Sequence, residues 1–224
     1  IHTLWTLDGL NSLNLEDLSQ GLRSVSGEVR RNSIRLGEQF LSDAALFARR
    51  NDRPIDYQAV DFIGDLRKLS HDPWHRVRFQ LALSLGVSSE PRLGDILFGI
   101  AVRETLPEVK LGIEASVPIH LKRLILHFLR RPELIAEQPD FYSSLIRYAM
   151  IRQDDEGVRS LVEPLLNREA VADPQVAVNV LHQYTAELRK QGLRGKSSFD
   201  CWAESLGQWD PRTSAWRGRM LEMV

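Results

Sequence analysis

The sequence has almost none of the cysteine that forms disulfides and cysteine-based metal sites. Cys201 is the only cysteine among 224 residues, which excludes an internal disulfide, a cysteine-based zinc cluster and a CxxCH haem site. Net charge is nearly absent as well, because 29 Lys and Arg residues stand against 30 Asp and Glu residues. Such a balance gives no overall field to attract nucleic acid, and no apolar run approaches the ~20 residues that span a bilayer. We therefore expect no nucleic-acid partner and no membrane insertion by this segment.

The composition is that of a folded protein. Hydrophobic residues make up 43% of the chain and charged residues 26%, and this length can bury a core without disulfides. The chain begins with Ile1 rather than Met, so we expect it to be a fragment of a larger protein.

Apolar residues recur at helical spacing through most of the chain, and alternating runs typical of strands are nearly absent. Asp-Pro pairs at 72, 173 and 210 are typical helix starts, because Asp caps free N–H groups and Pro suits the first turn. The pattern predicts an all-α chain of about thirteen short helices. Their expected positions are 2–9, 15–22, 27–41, 57–70, 74–85, 91–103, 108–116, 119–130, 139–151, 155–168, 174–191, 197–206 and 211–222.

The helices also carry a repeated signature. A Val followed by a basic residue opens a helix at Val29-Arg30, Val77-Arg78 and Val109-Lys110, and more weakly at Val158-Arg159. A shorter apolar helix precedes each of the first three copies. An acidic residue stands shortly before each Val, namely Glu28, Asp72, Glu108 and Glu156. The repeating unit is therefore a helix A, a short polar turn and a helix B, with unequal spacing between the copies.

Two-helix units of this kind cannot bury their apolar faces alone, whereas stacked copies form a continuous core. We predict that the Val of each unit packs in the seam between helices, at Val29, Val77 and Val109. We also predict that the basic residue extends towards the acidic turn of its own or the next unit, forming a ladder from Arg30, Arg78 and Lys110 to residues such as Asp72. Asp8, which ends an apolar helix, is expected to cap a turn or to pair with one of these arginines.

This unit resembles the HEAT repeat, which carries an acidic turn and a Val-Arg at the start of helix B. The resemblance implies a right-handed α-solenoid that forms one domain over 1–224, with clearer repeats in 15–117 and degenerate repeats in 118–224. A compact helical domain without repeats is the alternative fold.

Three segments resemble one family more narrowly: 2–10 (HTLWTLDGL), 29–36 (VRRNSIRL) and 77–86 (VRFQLALSLG). They are similar to the HEAT-repeat region of the large membrane-bound dehydrogenase proteins of planctomycetes and verrucomicrobia. In that family a β-propeller precedes the helical repeats, a c-type cytochrome domain follows them, and the whole protein is exported. The resemblance implies a periplasmic, non-catalytic scaffold that contacts protein, with haem c only in a flanking domain and no cofactor in this chain.

Isolated residues with reactive side chains do not assemble into a known catalytic pattern. His71 and His75 flank a predicted turn, which breaks the spacing of two metal ligands on one helix. His120 and His127 share a helix face, and Cys201 has no matching His nearby. We therefore predict no catalytic, cofactor-binding or metal-binding residue in this chain.

Two other functions stay open. Between 189 and 219 the sequence gathers basic residues around three tryptophans, Trp202, Trp209 and Trp216, a combination that can hold a phosphate backbone or stacked bases. Some helical-repeat proteins are DNA glycosylases, so the resemblance to HEAT repeats leaves a nucleic-acid-binding protein of that class as one alternative, with the near-neutral charge against it. A HEAT-like lyase or cofactor chaperone for a bilin-type ligand is the other, and it requires an acidic or histidine-containing pocket.

Overall fold

The computed structural model describes residues 1–41, 57–166 and 174–190, and within these ranges the chain is all-α, with no strand. The all-α prediction is thereby confirmed for the described residues. The predicted helices at 197–206 and 211–222, together with Cys201 and the three C-terminal tryptophans, lie outside them. Eleven α-helices are described: α1 (His2–Gly9), α2 (Leu15–Leu22), α3 (Gly27–Leu41), α4 (Tyr57–Leu69), α5 (His75–Ser84), α6 (Pro91–Ala101), α7 (Pro107–Arg130), α8 (Leu134–Glu137), α9 (Pro139–Ile151), α10 (Asp155–Leu166) and α11 (Pro174–Lys190).

Local sequence signals account for several helix starts. The Asn14 side chain accepts a hydrogen bond from the Asp17 N–H at 2.9 Å, and the Asp17 carboxylate accepts one from the Asn14 N–H, so α2 begins with a complete capping box. Pro91 and Pro139 occupy the first turns of α6 and α9, where a missing N–H costs nothing. Asp72 does not cap α5, which begins at His75, and its carboxylate has another role described below.

Helix α7 differs from the sequence prediction. We expected two helices, 108–116 and 119–130, but a single helix runs from Pro107 to Arg130 with Pro118 inside it. Proline in a helix interior costs roughly 3 kcal/mol. The buried stripe continues on both sides of it, through Val109, Ile113, Val117, Leu121 and Leu124. Burial of this stripe offsets the cost of the proline, so the helix continues through Pro118.

The chain divides into two compact units, Ile1–Leu124 and Ile125–Val224. In unit 1, helices α2, α4 and α6 correspond to the predicted A helices, and α3, α5 and the start of α7 to the B helices. A helices contact A helices, α2 against α4 and α4 against α6, while α3 packs on α5. Each of α2 and α4 also contacts the B helix that follows it, and α1 lies against α3. Unit 1 is therefore built from three successive helical pairs.

The B helices bury the same positions. In α5 and the turn after it, Val77, Leu81, Ser84 and Leu85 are almost completely buried. In α7 the residues 32 positions later are equally buried, namely Val109, Ile113, Ser116 and Val117. Val77 and Val109 thus lie in the packed interior, whereas Val29 is only half-buried.

Small residues bring α5 and α7 close together. The Ser116 hydroxyl donates to the Ala82 carbonyl at 2.6 Å. A Cβ atom added at Gly86 would lie 2.5 Å from the Ser116 Oγ, and one added at Gly112 would lie 3.0 Å from the Phe79 carbonyl oxygen. The close approach therefore depends on glycine at both positions.

Unit 2 has a core of its own around α9, which contacts α8, α10 and α11. Tyr142 is fully buried there, and its ring meets Phe128 edge-on with the ring centroids 5.0 Å apart. Its hydroxyl donates to the Leu161 carbonyl, and burial raises the pKa of this phenol. The buried hydroxyl thus has a backbone partner, as a polar group in a core requires.

Val77→Asp tests the packing of the B helices. The substitution places an unpaired charge in a fully buried seam, and we expect it to lower the free energy of unfolding by at least about 4 kcal/mol. Urea denaturation followed by circular dichroism measures this change. Leu111→Asp is the matched control, since Leu111 is exposed on α7, and it is expected to change stability by less than about 1 kcal/mol. Equal effects of the two variants would contradict the assigned packing.

Candidate functional site

A buried ion pair joins the first two helical pairs of unit 1. Arg30, near the start of α3, donates from Nε to Asp72 Oδ2 at 2.6 Å and from Nη2 to Asp72 Oδ1 at 2.9 Å. The remaining Nη1 donates to the Ser24 carbonyl at 2.7 Å and to the Val25 carbonyl at 3.0 Å. The Arg30 side chain is 10% exposed and the Asp72 side chain 3%. One guanidinium therefore fastens its own A–B turn to the next one.

A second ion pair repeats this geometry between the second and third pairs. Arg78 Nε donates to Glu104 Oε2 at 2.7 Å, and Arg78 Nη1 donates to the Asp72 carbonyl at 2.6 Å. Asp72 and Ser24 occupy the same position relative to the valine of their units, so the two arginines use equivalent backbone carbonyls. We refer to Arg30, Asp72, Arg78 and Glu104 as the ladder.

Each ladder carboxylate also orders the turn that carries it. Asp72 Oδ1 accepts a hydrogen bond from the Trp74 N–H at 2.9 Å. Glu104 Oε1 accepts from the Leu106 N–H at 3.0 Å and from the Thr105 N–H at 3.1 Å. These bonds satisfy backbone donors that have no partner inside a helix. The turn and the contact between units are consequently held by the same carboxylate.

The ladder's charges are stabilised by their partners. Burial alone would raise the pKa of the Glu104 carboxyl, but the Arg78 hydrogen bond, the backbone donors and the Arg78 charge hold it below its ordinary value. The hydrogen bond from Arg30 to Asp72 raises the pKa of the Arg30 guanidinium. The charged forms of the Arg30 guanidinium and the Glu104 carboxylate are therefore both favoured by their partners.

A further buried carboxylate, outside the ladder, lies on α4. Burial alone would raise the pKa of Asp65, but hydrogen bonds from Lys68 at 2.8 Å and Arg23 at 2.6 Å, together with both charges, lower it. Arg23 follows α2, so this cluster also ties the first pair to the second. Asp65 lies outside the Val-Arg signature and its preceding acidic residue, so the repeated pattern in the sequence does not mark it.

The ladder does not continue beyond the first and the third of the described helical pairs. Position 24, equivalent to Asp72 and Glu104, holds Ser24, which offers only its backbone carbonyl to Arg30. At the other end, Lys110 is exposed and forms no ion pair within the described residues. The second pair contacts the first and the third, and each of these two interfaces holds one ion pair of the ladder, which we call a rung.

Other predicted ladder residues lie elsewhere. Glu28 pairs with Arg31 of its own helix at 2.9 Å, and Glu108 is exposed. The carboxylate that pairs with Arg78 is Glu104. The sequence prediction was Glu108, the acidic residue nearest to Val109, and it missed this partner. The signal was present: Glu104 stands 32 residues after Asp72, the same interval that separates the two valines.

The remaining predicted positions form no shared site with the ladder. Asp8 accepts a hydrogen bond from the Gln39 side-chain amide at 2.8 Å and pairs with no arginine that the structure describes. In the weaker copy, Val158 is half-buried and Arg159 exposed, and Asp154 accepts from the Gly157 N–H at 3.0 Å. The His120 ring nitrogen Nε2 lies 2.8 Å from the Leu85 carbonyl oxygen, while His71 Nδ1 lies 2.9 Å from the Ser70 hydroxyl.

The described residues use their buried polar groups for packing. Every buried side-chain nitrogen and oxygen in residues 1–41, 57–166 and 174–190 has a hydrogen-bond partner where its side chain is described. Within the same ranges no three His, Cys, Asp or Glu side chains come close enough to hold a metal ion. No helix in this part of the chain is both long and apolar enough to cross a membrane. The ladder can therefore fix helices in register, and its donors and acceptors are already occupied.

Comparisons with protein-family models, with curated proteins and with solved structures return no match to this chain. The interpretation of its repeats therefore depends on its own residues and their geometry.

Arg30→Ala tests whether the ladder stabilises unit 1. The substitution leaves the Asp72 carboxylate buried without its partner, so we expect a loss of about 3–5 kcal/mol in the free energy of unfolding. Lys110→Ala, at the equivalent position of the third pair, is expected to change it by less than about 0.5 kcal/mol. Urea denaturation of both variants measures the difference. A similar effect at both positions would contradict the end of the ladder at Lys110.

Glu104→Gln tests the charge on the second rung. Because the folded-state pKa of Glu104 is lowered, its ionisation stabilises the fold above the unfolded-state pKa, and this contribution is lost as the pH falls below about 5. We expect the variant to be less stable than the wild type at pH 7 and to lose less stability on acidification. Thermal melts from pH 7 to pH 3 measure both slopes, with Glu108→Gln as the exposed control. Parallel slopes for wild type and Glu104→Gln would show that the rung carries no linked charge.

Proposed function

We propose that the chain is a non-catalytic, HEAT-like scaffold whose helical pairs stack as an α-solenoid. The observation that carries this proposal is the ladder, because Arg30 and Arg78 make equivalent contacts at two successive interfaces. Contacts of A helices with A helices and B helices with B helices support the same arrangement. In repeat proteins each unit touches only its neighbours, and stability comes from such interfaces.

The proposed role is to hold two other domains rather than to transform a substrate. The resemblance of segments 2–10, 29–36 and 77–86 supports a place between a β-propeller dehydrogenase-like domain and a c-type cytochrome domain in an exported protein. Haem c and any redox cofactor belong, in this proposal, to those domains.

The surface proposed for domain contact is the exposed side of the B helices. On α7, Leu111, Ala115 and Ile119 are exposed and stand four residues apart, so they share one face of the helix. An apolar stripe of this kind, left uncovered in the described part of the chain, is typical of a protein contact.

Isothermal titration of the chain against the neighbouring domains encoded by the same gene, produced as separate polypeptides, tests this proposal. We expect saturable binding to at least one of them, weakened at least about tenfold by Leu111→Asp with Ile119→Asp. Ile151→Asp, an exposed position in unit 2, is the control and is expected to bind normally. A reading frame without a CxxCH motif after this segment would overturn the linking role.

The nucleic-acid alternative is tested in the same assay. Binding to duplex DNA at low salt, with an affinity that falls steeply as salt is added, would replace the scaffold proposal by a nucleic-acid function.

A further inference from the structure

The turns between A and B helices in unit 1 expose apolar side chains at successive pairs. Val25 is fully exposed in the first turn, Trp74 is 50% exposed in the second, and Leu106 is 37% exposed in the third. Trp74 and Leu106 occupy equivalent positions, 32 residues apart, and Val25 stands one residue from the matching place. We refer to residues 19–31, 65–78 and 98–110 as the turn edge. The A–B turn of each of the three successive pairs thus presents one large apolar side chain to solvent.

A ladder carboxylate, Asp72, fixes the position of Trp74, the largest of these side chains. The Trp74 N–H donates to the Asp72 carboxylate, and the indole lies against the backbone of Gly27 at the start of α3. A Cβ atom at position 27 would come within 2.6 Å of the ring atoms Cδ2 and Cε3. The indole thus lies on the preceding pair while half of it remains exposed. A pre-organised aromatic group of this kind loses little entropy when it binds a partner.

Charge on the turn edge is strongly one-sided. It contains nine Lys and Arg residues against five Asp and Glu residues, although the whole chain has a formal net charge of −1. Three of the five carboxylates are buried in ion pairs, at Asp65, Asp72 and Glu104. By contrast, six of the basic residues are exposed: Arg23, Arg67, Lys68, Arg76, Arg103 and Lys110. Arg23 and Lys68 pair with Asp65, and Arg76 lies 4.0 Å from Glu28, so the excess of four basic residues over the whole edge rests on the others. The surface that a partner meets is therefore cationic and apolar together.

Spacing adds a constraint on the partner. Packed helices lie about 8–10 Å apart, so equivalent residues of successive pairs recur at about that interval. A chain extended as a polyproline II helix has three residues per turn and advances about 3.1 Å per residue, so every third side chain lies on the same face at about the same distance. A helical partner would match this interval less simply, since residues about 10 Å apart along a helix are six or seven positions apart.

We propose that the turn edge binds an extended acidic segment of a partner protein, with an apolar side chain at about every third position. The apolar side chains pack on Val25, Trp74 and Leu106, and the carboxylates between them face the exposed arginines. This surface is separate from the exposed B-helix face of the scaffold proposal. It depends on the stacking of the three pairs in unit 1 and not on the identity of the neighbouring domains.

A labelled synthetic peptide provides the test. The probe is an extended sequence of about nine residues with Leu or Trp at every third position and Asp, Glu or Ser between them. We expect saturable binding to the full chain by fluorescence anisotropy. The charge variant Arg76→Glu with Arg103→Glu and the apolar variant Val25→Ser with Leu106→Ser are each expected to weaken it at least about tenfold.

Three controls make the test specific. Arg130→Glu with Ile151→Ser carries comparable changes at exposed positions in unit 2 and is expected to bind the peptide normally. A peptide of identical composition with its apolar residues clustered at one end is expected to bind at least about tenfold more weakly. Circular dichroism and thermal melts confirm that each variant remains folded.

The outcomes separate this proposal from its rivals. Absence of peptide binding, or equal binding of the clustered peptide, overturns it. Binding that responds only to the charge variant, and that anionic vesicles or duplex DNA reproduce, shows general electrostatic attraction and also overturns it. Ile119→Asp alone, which tests the B-helix face away from the turn edge, should leave peptide binding unchanged, so failure of either proposal is recognised independently.

Discussion

The interaction on which unit 1 depends is the removal of the Arg30 guanidinium from water. A charge buried to this extent costs several kcal/mol unless its donors are satisfied. Asp72 from the second pair supplies two acceptors, and the Ser24 and Val25 carbonyls of the first pair supply two more. Neither pair can satisfy the guanidinium alone. The arginine is therefore stable in the interior only while the two pairs are together, and the same holds for Arg78 at the next interface. Unfolding of one pair should consequently destabilise its neighbour.

Most of the helical architecture could be predicted from local patterns. Apolar periodicity, the Asn14 cap and the prolines at first turns act within a few residues, so their signals are visible in the sequence. The repeated Val-Arg dipeptide likewise marked the positions of Arg30 and Arg78. The continuity of α7 through Pro118 was not predictable in the same way, because it depends on burial against other helices rather than on the local preference of proline.

The missed partner, Glu104, shows where sequence reasoning reaches its limit. Sequence proximity favoured Glu108, but a side chain so close to Val109 lies on the first turn of α7 and faces solvent. The carboxylate that meets Arg78 has to come from the turn before the helix, and only alignment of whole units reveals that position. Asp65 lies outside the Val-Arg signature, so its contact with Arg23 is visible only once α2 and α4 are packed together.

The two unmatched ends of the ladder have a consequence for protein engineering. Lys110 carries a charge at the rung position but lacks the fork of donors that allows an arginine to bind a carboxylate and two carbonyls at once. The Ser24 carbonyl accepts a hydrogen bond from Arg30 as the Asp72 carbonyl does from Arg78, but Ser24 has no carboxylate that could pair with another arginine. Adding a further helical pair by design would require changes at these two residues. Arginine at 110 would need a grafted helical pair whose turn carries an acidic residue five positions before its valine. The interval from Asp72 to Glu104 already supplies the template for such a module.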